Sequence, residues 1–402
     1  MQSTTVLKYG GSSVATTEKI ADIARRLVER SKSGERLVVV VSAMGKTTNG
    51  LIALAKELSP HPTGRDMDQL LATGEQVSIA LLAIAIKEAG WDSISLTGRQ
   101  AGIETCNTYN KARIAHIRKE RIQKHLDQNR IVVVAGFQGM AENGDITTLG
   151  RGGSDTTAVS IAAVLECPCE IYTDVDGVYT VDPRIWPSAR KLNVISYDEM
   201  LELASLGAKV LETRSIEMGH KYKVPILVAL STGEYPGTII KEWDETMEKK
   251  VVTGMTVTEN CLMVAVSLVP YTAANISKIF AKLAERNVMV DMISQTAPFH
   301  NTVNVSFTTF KDDRLAVEEV LREIAVEMNG IDVSMNESLV KLSVVGIGMV
   351  SQSGVAARLF SLLSENNIEF LQVTTSEISI SYTIRAVDEA KAVQVIAEAF
   401  EL

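Results

Sequence analysis

The sequence predicts an α/β protein, an open, mostly parallel sheet sandwiched by helices, followed by two smaller α+β units of ferredoxin-like βαββαβ order. Two observations carry this prediction. Over the first 240 or so residues, short apolar β-branched runs alternate with helical patterns, as in a parallel sheet covered on both faces. In the last third an internal repeat appears at an offset of 80 residues: Ile279, Phe280, Leu283, Glu285, Asn287 and Val288 align with Leu359, Phe360, Leu363, Glu365, Asn367 and Ile368.

The elements follow in order. A strand at residues 6–8 enters Gly10-Gly11-Ser12-Ser13, and a helix over 17–31 places Ile20, Ile23, Ala24, Leu27 and Val28 on one face. Residues 37–41 form a second, fully apolar strand. Helical patterns at 50–58 and 67–88 precede strands at 93–96 and 131–135. A glycine-rich stretch, residues 147–157, leads into a helix at 156–165 and a strand at 169–173. Helices at 197–204 and 209–221 then lead to strands at 226–229 and 238–240.

A charged run from Lys241 to Lys250 marks the boundary, so residues 1–243 read as one domain and 244–260 as a linker. Residues 261–337 supply a complete βαββαβ unit, with strands at 261–268, 289–296, 302–309 and 331–336 and helices at 274–286 and 314–327. Residues 338–402 repeat it with strands at 340–345, 370–376 and 379–385 and helices at 354–366 and 389–400, without a fourth strand. An uncovered sheet edge is a liability, so the apolar segment 251–257 is expected to complete this second sheet.

Composition narrows the function. The chain has 402 residues, 46% of them hydrophobic, and a net charge of -9 with no block of Lys and Arg. That excludes an electrostatic footprint for nucleic acid. No signal region and no apolar run of about 20 residues is apparent, which predicts a cytoplasmic chain without a membrane span. Cys106, Cys167, Cys169 and Cys261 read as buried free thiols, and the five histidines show no metal-ligand spacing, so no protein-built metal site is expected.

Three motifs fail on inspection. Ala43-Met44-Gly45-Lys46-Thr47 ends like a phosphate-binding P-loop, but Val40 stands where glycine is needed. Gly346-Ile347-Gly348 lacks its third glycine, replaced by Ser351. Asp174-Val175-Asp176-Gly177 lacks the ligands of a calcium loop. Three stretches survive, all glycine-bearing turns at ends of parallel strands, where open α/β sheets gather ligands: residues 8–12, 42–46 and 147–157. In the last, glycines, Arg151 and a helix start make an anion site. Lys8, at the end of a buried strand, is costly to desolvate unless it meets an anion, and a phosphate is the natural partner.

Together these residues resemble the amino acid kinase superfamily, and within it the aspartate kinase family. Lys-Tyr-Gly-Gly-Ser-Ser-Val at 8–14 is similar to the family's opening motif. It is followed in order by Val-Val-Val-Ser-Ala-Met-Gly, Leu-Leu-Ala-Thr-Gly-Glu, Gly-Phe-Gln-Gly, Thr-Thr-Leu-Gly-Arg-Gly-Gly-Ser-Asp and Thr-Asp-Val-Asp-Gly-Val-Tyr-Thr-Val-Asp-Pro-Arg. The repeated units resemble tandem ACT domains. The resemblance spans nearly the whole chain and implies an amino-acid-kinase-like sheet followed by two ACT units. It also implies transfer of the γ-phosphoryl of ATP, with Mg²⁺, to the β-carboxylate of L-aspartate.

The resemblance also implies roles. Lys8 would neutralise the transferring phosphoryl, with Gly10, Gly11 and Ser12 lending donors, and Asp155 would organise the reaction. Arg151 would hold the aspartate α-carboxylate and Glu75 its ammonium, while Ser42, Phe137, Gly153 and Ser154 shape the pocket. Thr173, Asp174, Tyr179, Arg184 and Lys209 fall on nucleotide-binding positions. One departure is Glu212-Thr213, where many relatives have His-Pro.

ACT pairs imply a homodimer or homotetramer with effector at the ACT contacts, the effector being lysine, threonine or both. Candidate contacts are Asp291, Gln295, Thr296, Ser353, Gly354, Val355, Thr375, Ser376 and Glu377, with Asp291 suited to an effector ammonium. Two other readings stand beside this one: another carboxylate-phosphorylating amino acid kinase, and a catalytically silent amino-acid sensor.

Overall fold

A computed structural model describes residues 3–233, 235–244, 251–328 and 330–402. Part of the predicted boundary run, residues 245–250, lies outside the described residues. The chain divides into two compact units: Met1–Val178 with Lys191–Ala204 and Lys209–Met247, and Tyr179–Arg190 with Ser205–Ala208 and Glu248–Leu402.

The first unit opens with β1 (Thr4–Tyr9), α1 (Thr17–Lys32), β2 (Arg36–Val41), α2 (Thr47–Leu58), α3 (Arg65–Leu71) and α4 (Thr73–Glu88). Next come β3 (Ser93–Leu96), β4 (Ile103–Thr105), β5 (Ile114–Ile117), α5 (Glu120–Asp127), β6 (Ile131–Ala135), β7 (Gln138–Ala141) and β8 (Ile146–Thr148). It closes with α6 (Gly153–Leu165), β9 (Cys169–Thr173), β10 (Val194–Ser196), α7 (Tyr197–Ser205), α8 (Thr213–Tyr222), β11 (Ile226–Leu230) and β12 (Thr238–Lys241).

An eight-stranded sheet of order β10-β12-β11-β9-β1-β2-β6-β3 forms its centre, parallel throughout except between β11 and β12. On one face Leu7, Tyr9, Val39, Val41 and Val133 pack with Ile20, Ile23 and Leu27 of α1 and Ile79, Leu82 and Ile86 of α4. The α3–α4 stretch Arg65–Glu88 is apolar and long enough to cross a membrane by length and composition, but it is half buried and its α4 part supplies this core.

Several expectations are corrected. The helix predicted over 67–88 breaks at Ala72, which ends α3 and begins α4; the Thr73 hydroxyl donates to the Leu70 carbonyl there. An unbroken apolar pattern hid that break. The helix expected at 209–221 begins only at Thr213. A second sheet, β5-β4-β7-β8, has strands of only three or four residues, too short to show a period of two. Cys106 and Cys167 are partly exposed, whereas Cys169 and Cys261 are buried, and all four thiols are free.

The second unit contains β13 (Gly254–Pro270), α9 (Ala273–Glu285), β14 (Ile293–Gln295), β15 (Thr302–Thr309) and α10 (Arg314–Glu327). It continues with β16 (Asp332–Val345), α11 (Val355–Glu365), β17 (Phe370–Thr375), β18 (Ser379–Arg385) and α12 (Glu389–Phe400). Its sheet has the order β14-β15-β13-β16-β18-β17. Two strands expected to be separate, 331–336 and 340–345, are one continuous β16. Gly254–Thr258 of β13 pairs antiparallel with Val345–Lys341, and the downstream part of β13 pairs with both β15 and the first half of β16. The two repeats therefore share their two longest strands. The strand expected at 289–296 is reduced to Ile293–Gln295. Tyr179–Arg190 joins this unit because Val181 and Trp186 pack into its second core and Met255 N–H donates to the Thr180 carbonyl at 2.7 Å.

Candidate active site

Side chains alternate along β1, and that alternation builds the site. Leu7 and Tyr9 face the core shared with α1 and α4. Lys8, between them, therefore points to the opposite face, against which α6 packs. Its Nζ lies 2.6 Å from Asp155 Oδ1, with the two side chains only 10% and 13% exposed. That oxygen is buried and has no aligned hydrogen bond, so the contact is ionic rather than a fully directed bond.

The strand register gathers the turns around this pair. Tyr9 lies opposite Val41 and Tyr172, and Val41 lies opposite Ala135, so β1, β2, β6 and β9 end together. Gly11 is needed because a Cβ there would lie 2.8 Å from the Ala43 carbonyl oxygen. Gly45 N–H also donates to the Gly11 carbonyl at 2.9 Å, locking the first two turns together. Among the expected donors, Gly10 is corrected: its N–H is bonded to the Tyr172 carbonyl at 3.1 Å because the turn continues the sheet ladder. Gly11 and Ser12 lie beyond it, with Ser12 exposed.

Glu75, in the first turn of α4, is 3% exposed. Its Oε1 accepts the Ala43 N–H at 3.1 Å while Oε2 is buried without a partner. Burial pushes its carboxyl up to about 7. Ser42 is half-buried, and its N–H donates to the Tyr9 carbonyl.

The glycine-rich turn enters α6 at Gly153, three residues before the expected start, because Gly152 adopts a left-handed φ of 63° as the cap. A Cβ on Gly152 would lie 2.1 Å from Glu212 Cγ, so this position excludes a side chain. Ser154 and Asp155 thus fall in the first turn of a helix with no side-chain cap, where backbone N–H groups and the dipole favour an anion. Asp155 is consequently not the helix cap. Phe137 holds a left-handed φ of 69°, its N–H donating to Thr157 Oγ1 and its ring edge lying against Gly153. Arg151 is exposed.

Of the residues expected to meet the nucleotide, Thr173 ends β9 and its hydroxyl donates to Asp174, while Lys209 is exposed in the segment before α8. Tyr179 and Arg184 belong to the second unit, with Arg184 bonded to Asp182. In that unit Asp291 is already paired, with Lys341, so the carboxylate expected to await an effector ammonium meets one of the chain's own. Val355 is buried in the core rather than presented as a contact. Ser376 caps a turn by accepting the Ser379 N–H, and Thr296 exchanges hydrogen bonds with Asn304. Gln295, Ser353, Gly354, Thr375 and Glu377 are exposed.

Two residues that sequence reading missed hold the turn from outside. Asp68 is fully buried; its carboxylate accepts the N–H groups of Asn110 and Thr148 and the Thr148 hydroxyl. Arg214 donates to the carbonyls of Leu149 and Ala112 at 3.0 and 2.9 Å. Neither sits in a glycine motif, so only their residue type could have drawn attention to them.

The amino acid kinase family profile matches residues 3–229, and an ACT domain profile matches 342–400. Aspartokinase of Bacillus sp. (strain MGA3) is 48% identical over 399 residues, covering 99% of this chain and 97% of that protein. The chain belongs to the aspartokinase family. Aspartokinase 2 of Bacillus subtilis (strain 168) is 46% identical over 398 residues, with 99% and 97% covered. Among solved structures, aspartate kinase from Synechocystis is 38% identical at a TM-score of 0.56, covering 100% of this chain and 69% of that one. E. coli aspartokinase III, solved with aspartate and ADP, shares the fold at a TM-score of 0.80 and 22% identity, with 98% and 99% covered. This aspartokinase is accordingly an enzyme, an aspartate kinase of amino-acid biosynthesis that uses ATP and carries ACT regulation.

Proposed function

We propose that the enzyme transfers the γ-phosphoryl of ATP to the β-carboxylate of L-aspartate at the turn cluster around Lys8 and Asp155. The observation that carries this reading is their buried ion pair at the C-terminal ends of parallel strands. A carboxylate nucleophile is already ionised at neutral pH, so the reaction needs in-line placement and charge neutralisation rather than a base. Lys8 neutralises the phosphoryl, and Asp155 holds Lys8 in line. Arg151 forks the aspartate α-carboxylate, and the unpartnered Glu75 oxygen receives its ammonium. Ser42, Phe137, Gly153 and Ser154 wall the pocket, and Gly10, Gly11 and Ser12 shape the phosphate turn.

Thr173, Asp174 and Lys209, all of the first unit, supply nucleotide contacts in this reading. Among the described residues no cluster of three His, Cys, Asp or Glu could hold a metal. Mg²⁺ arriving with the nucleotide keeps its waters and asks for one or two carboxylates, and the Asp155 carboxylate beside Lys8 is one such group. Asp155 would take it through water, and the ion would supply charge neutralisation at the phosphates.

We further assign residues 1–243 to catalysis, 244–260 to the linker and added strand, and 261–337 and 338–402 to the two ACT units. The assembly is a cytoplasmic homodimer or homotetramer in which lysine inhibits and threonine acts as co-effector at ACT contacts between subunits. A fold neighbour, E. coli aspartokinase III, was solved with lysine and aspartate. ADP release with aspartate, titrated with lysine, threonine and both, tests this. Loss of turnover with lysine supports the regulatory assignment, and turnover indifferent to all three additions contradicts it.

A further inference from the structure

We propose that Arg214 is a positioning residue for aspartate recognition, a clamp that sets the glycine-rich turn from which Arg151 reaches the substrate. This rests on the reading of Arg151 as the α-carboxylate fork. Arg214 stands in the first turn of α8, half-buried, and among the described residues no carboxylate lies within ion-pair distance of it. Its guanidinium is devoted instead to two backbone carbonyls, Leu149 through Nη1 and Ala112 through Nη2.

Those two carbonyls belong to segments that are already tied together. Ala112 N–H donates to the Thr148 carbonyl at 2.9 Å, and Leu149 N–H donates to the Phe137 carbonyl at 2.9 Å. The Leu149 peptide is therefore held on both sides, by Phe137 at its N–H end and by Arg214 at its carbonyl. Arg151 follows two residues later, between Gly150 and Gly152, both in left-handed backbone. Two such glycines give the turn freedom that a fixed peptide just upstream removes. A planar fork can satisfy two diverging carbonyls at once, whereas a lysine ammonium on a flexible stem is not shaped to do so. The clamp does not touch the phosphoryl-transfer line, so its loss acts on aspartate binding rather than on chemistry.

The test is steady-state kinetics of Arg214→Met and Arg214→Lys, each alone and combined with Arg151→Lys. The expected result for Arg214→Met is a rise of about tenfold in KM for aspartate, the effect of losing roughly one hydrogen bond from a charged donor. KM for ATP and kcat stay within about threefold, and Arg214→Lys is intermediate. Because Arg214 acts through Arg151, the double variant raises KM by less than the product of the single effects. An unchanged aspartate KM in folded Arg214→Met and Arg214→Lys overturns the clamp, as does an equal rise in KM for both substrates. If Arg151→Lys alone leaves KM for aspartate unchanged, the fork reading falls and takes the clamp with it. If Arg151→Lys raises it and the Arg214 variants do not, only the clamp falls.

Discussion

Lys8 and Asp155 come from elements almost 150 residues apart, yet their side chains meet at 2.6 Å in a nearly dry setting. Neither β1 nor α6 alone explains the contact. It follows from the strand alternation that turns Lys8 away from the core, and from Gly152, which starts α6 early enough to present Asp155.

Lys8→Ala removes the ammonium to which the proposed reading gives neutralisation of the phosphoryl. Lys8→Ala is expected to lower kcat by ~100-fold or more, on the scale of losing one preorganised electrostatic stabiliser. Rapid-quench or coupled ADP assays at saturating aspartate and ATP check this, and near-normal turnover refutes the role.

Arg151 is exposed, so its replacement costs the fold little. Arg151→Lys retains charge but cannot form the bidentate fork proposed for the α-carboxylate. KM for aspartate should rise by about tenfold with kcat changed far less. Initial rates across an aspartate series, at fixed saturating ATP, decide between this and a drop in kcat alone.

Glu75 gives a pH signature. Its carboxyl is raised to about 7 by burial, so near neutrality it is only partly ionised in the free enzyme. Holding an ammonium requires the ionised form, so KM for aspartate should fall as pH rises through about 7. The folded state binds the extra proton between the ordinary carboxylate range and about 7, so Glu75's contribution to stability declines as pH rises across that window. In Glu75→Gln both dependences should flatten, with aspartate binding weakened mainly above about pH 7, where the native carboxylate is ionised. A KM profile that is unaltered in slope by this substitution removes Glu75 from ammonium binding.

Lys341 is buried and its charge is met by Asp291, itself about half exposed. Asp291→Ala leaves that ammonium buried without its partner, and a loss of about 1–3 kcal/mol in stability is expected, the cost of an unsatisfied buried donor. Lys341→Met together with Asp291→Ala should recover much of it, because removing both charges also removes the desolvation problem. Thermal melts of the two variants check this; equal losses in both contradict the pairing.

Much of this was legible in sequence because the informative elements are long or chemically marked. Residues 37–41 and 131–135 are fully apolar and could only be buried strands, and Lys8 beside Gly10 and Gly11 already indicated an anion. The repeat at residues 279–288 and 359–368 correctly announced two similar units. Tertiary features stayed hidden. Nothing local in Asp68 or Arg214 says that their partners are backbone groups of distant turns. The union of 331–336 and 340–345 into one strand depends on pairing with β13, which no local pattern encodes. Asp291 looked available because its partner lies 50 residues on.

Phosphorylation of aspartate is proposed to take place at the Lys8–Asp155 site. It is tested most directly by ADP release with L-aspartate and with L-glutamate in parallel, for the unaltered enzyme and for Lys8→Ala. Turnover is expected with aspartate and not with glutamate, and it is lost in Lys8→Ala. Absence of turnover with aspartate, or equal turnover with glutamate, contradicts it.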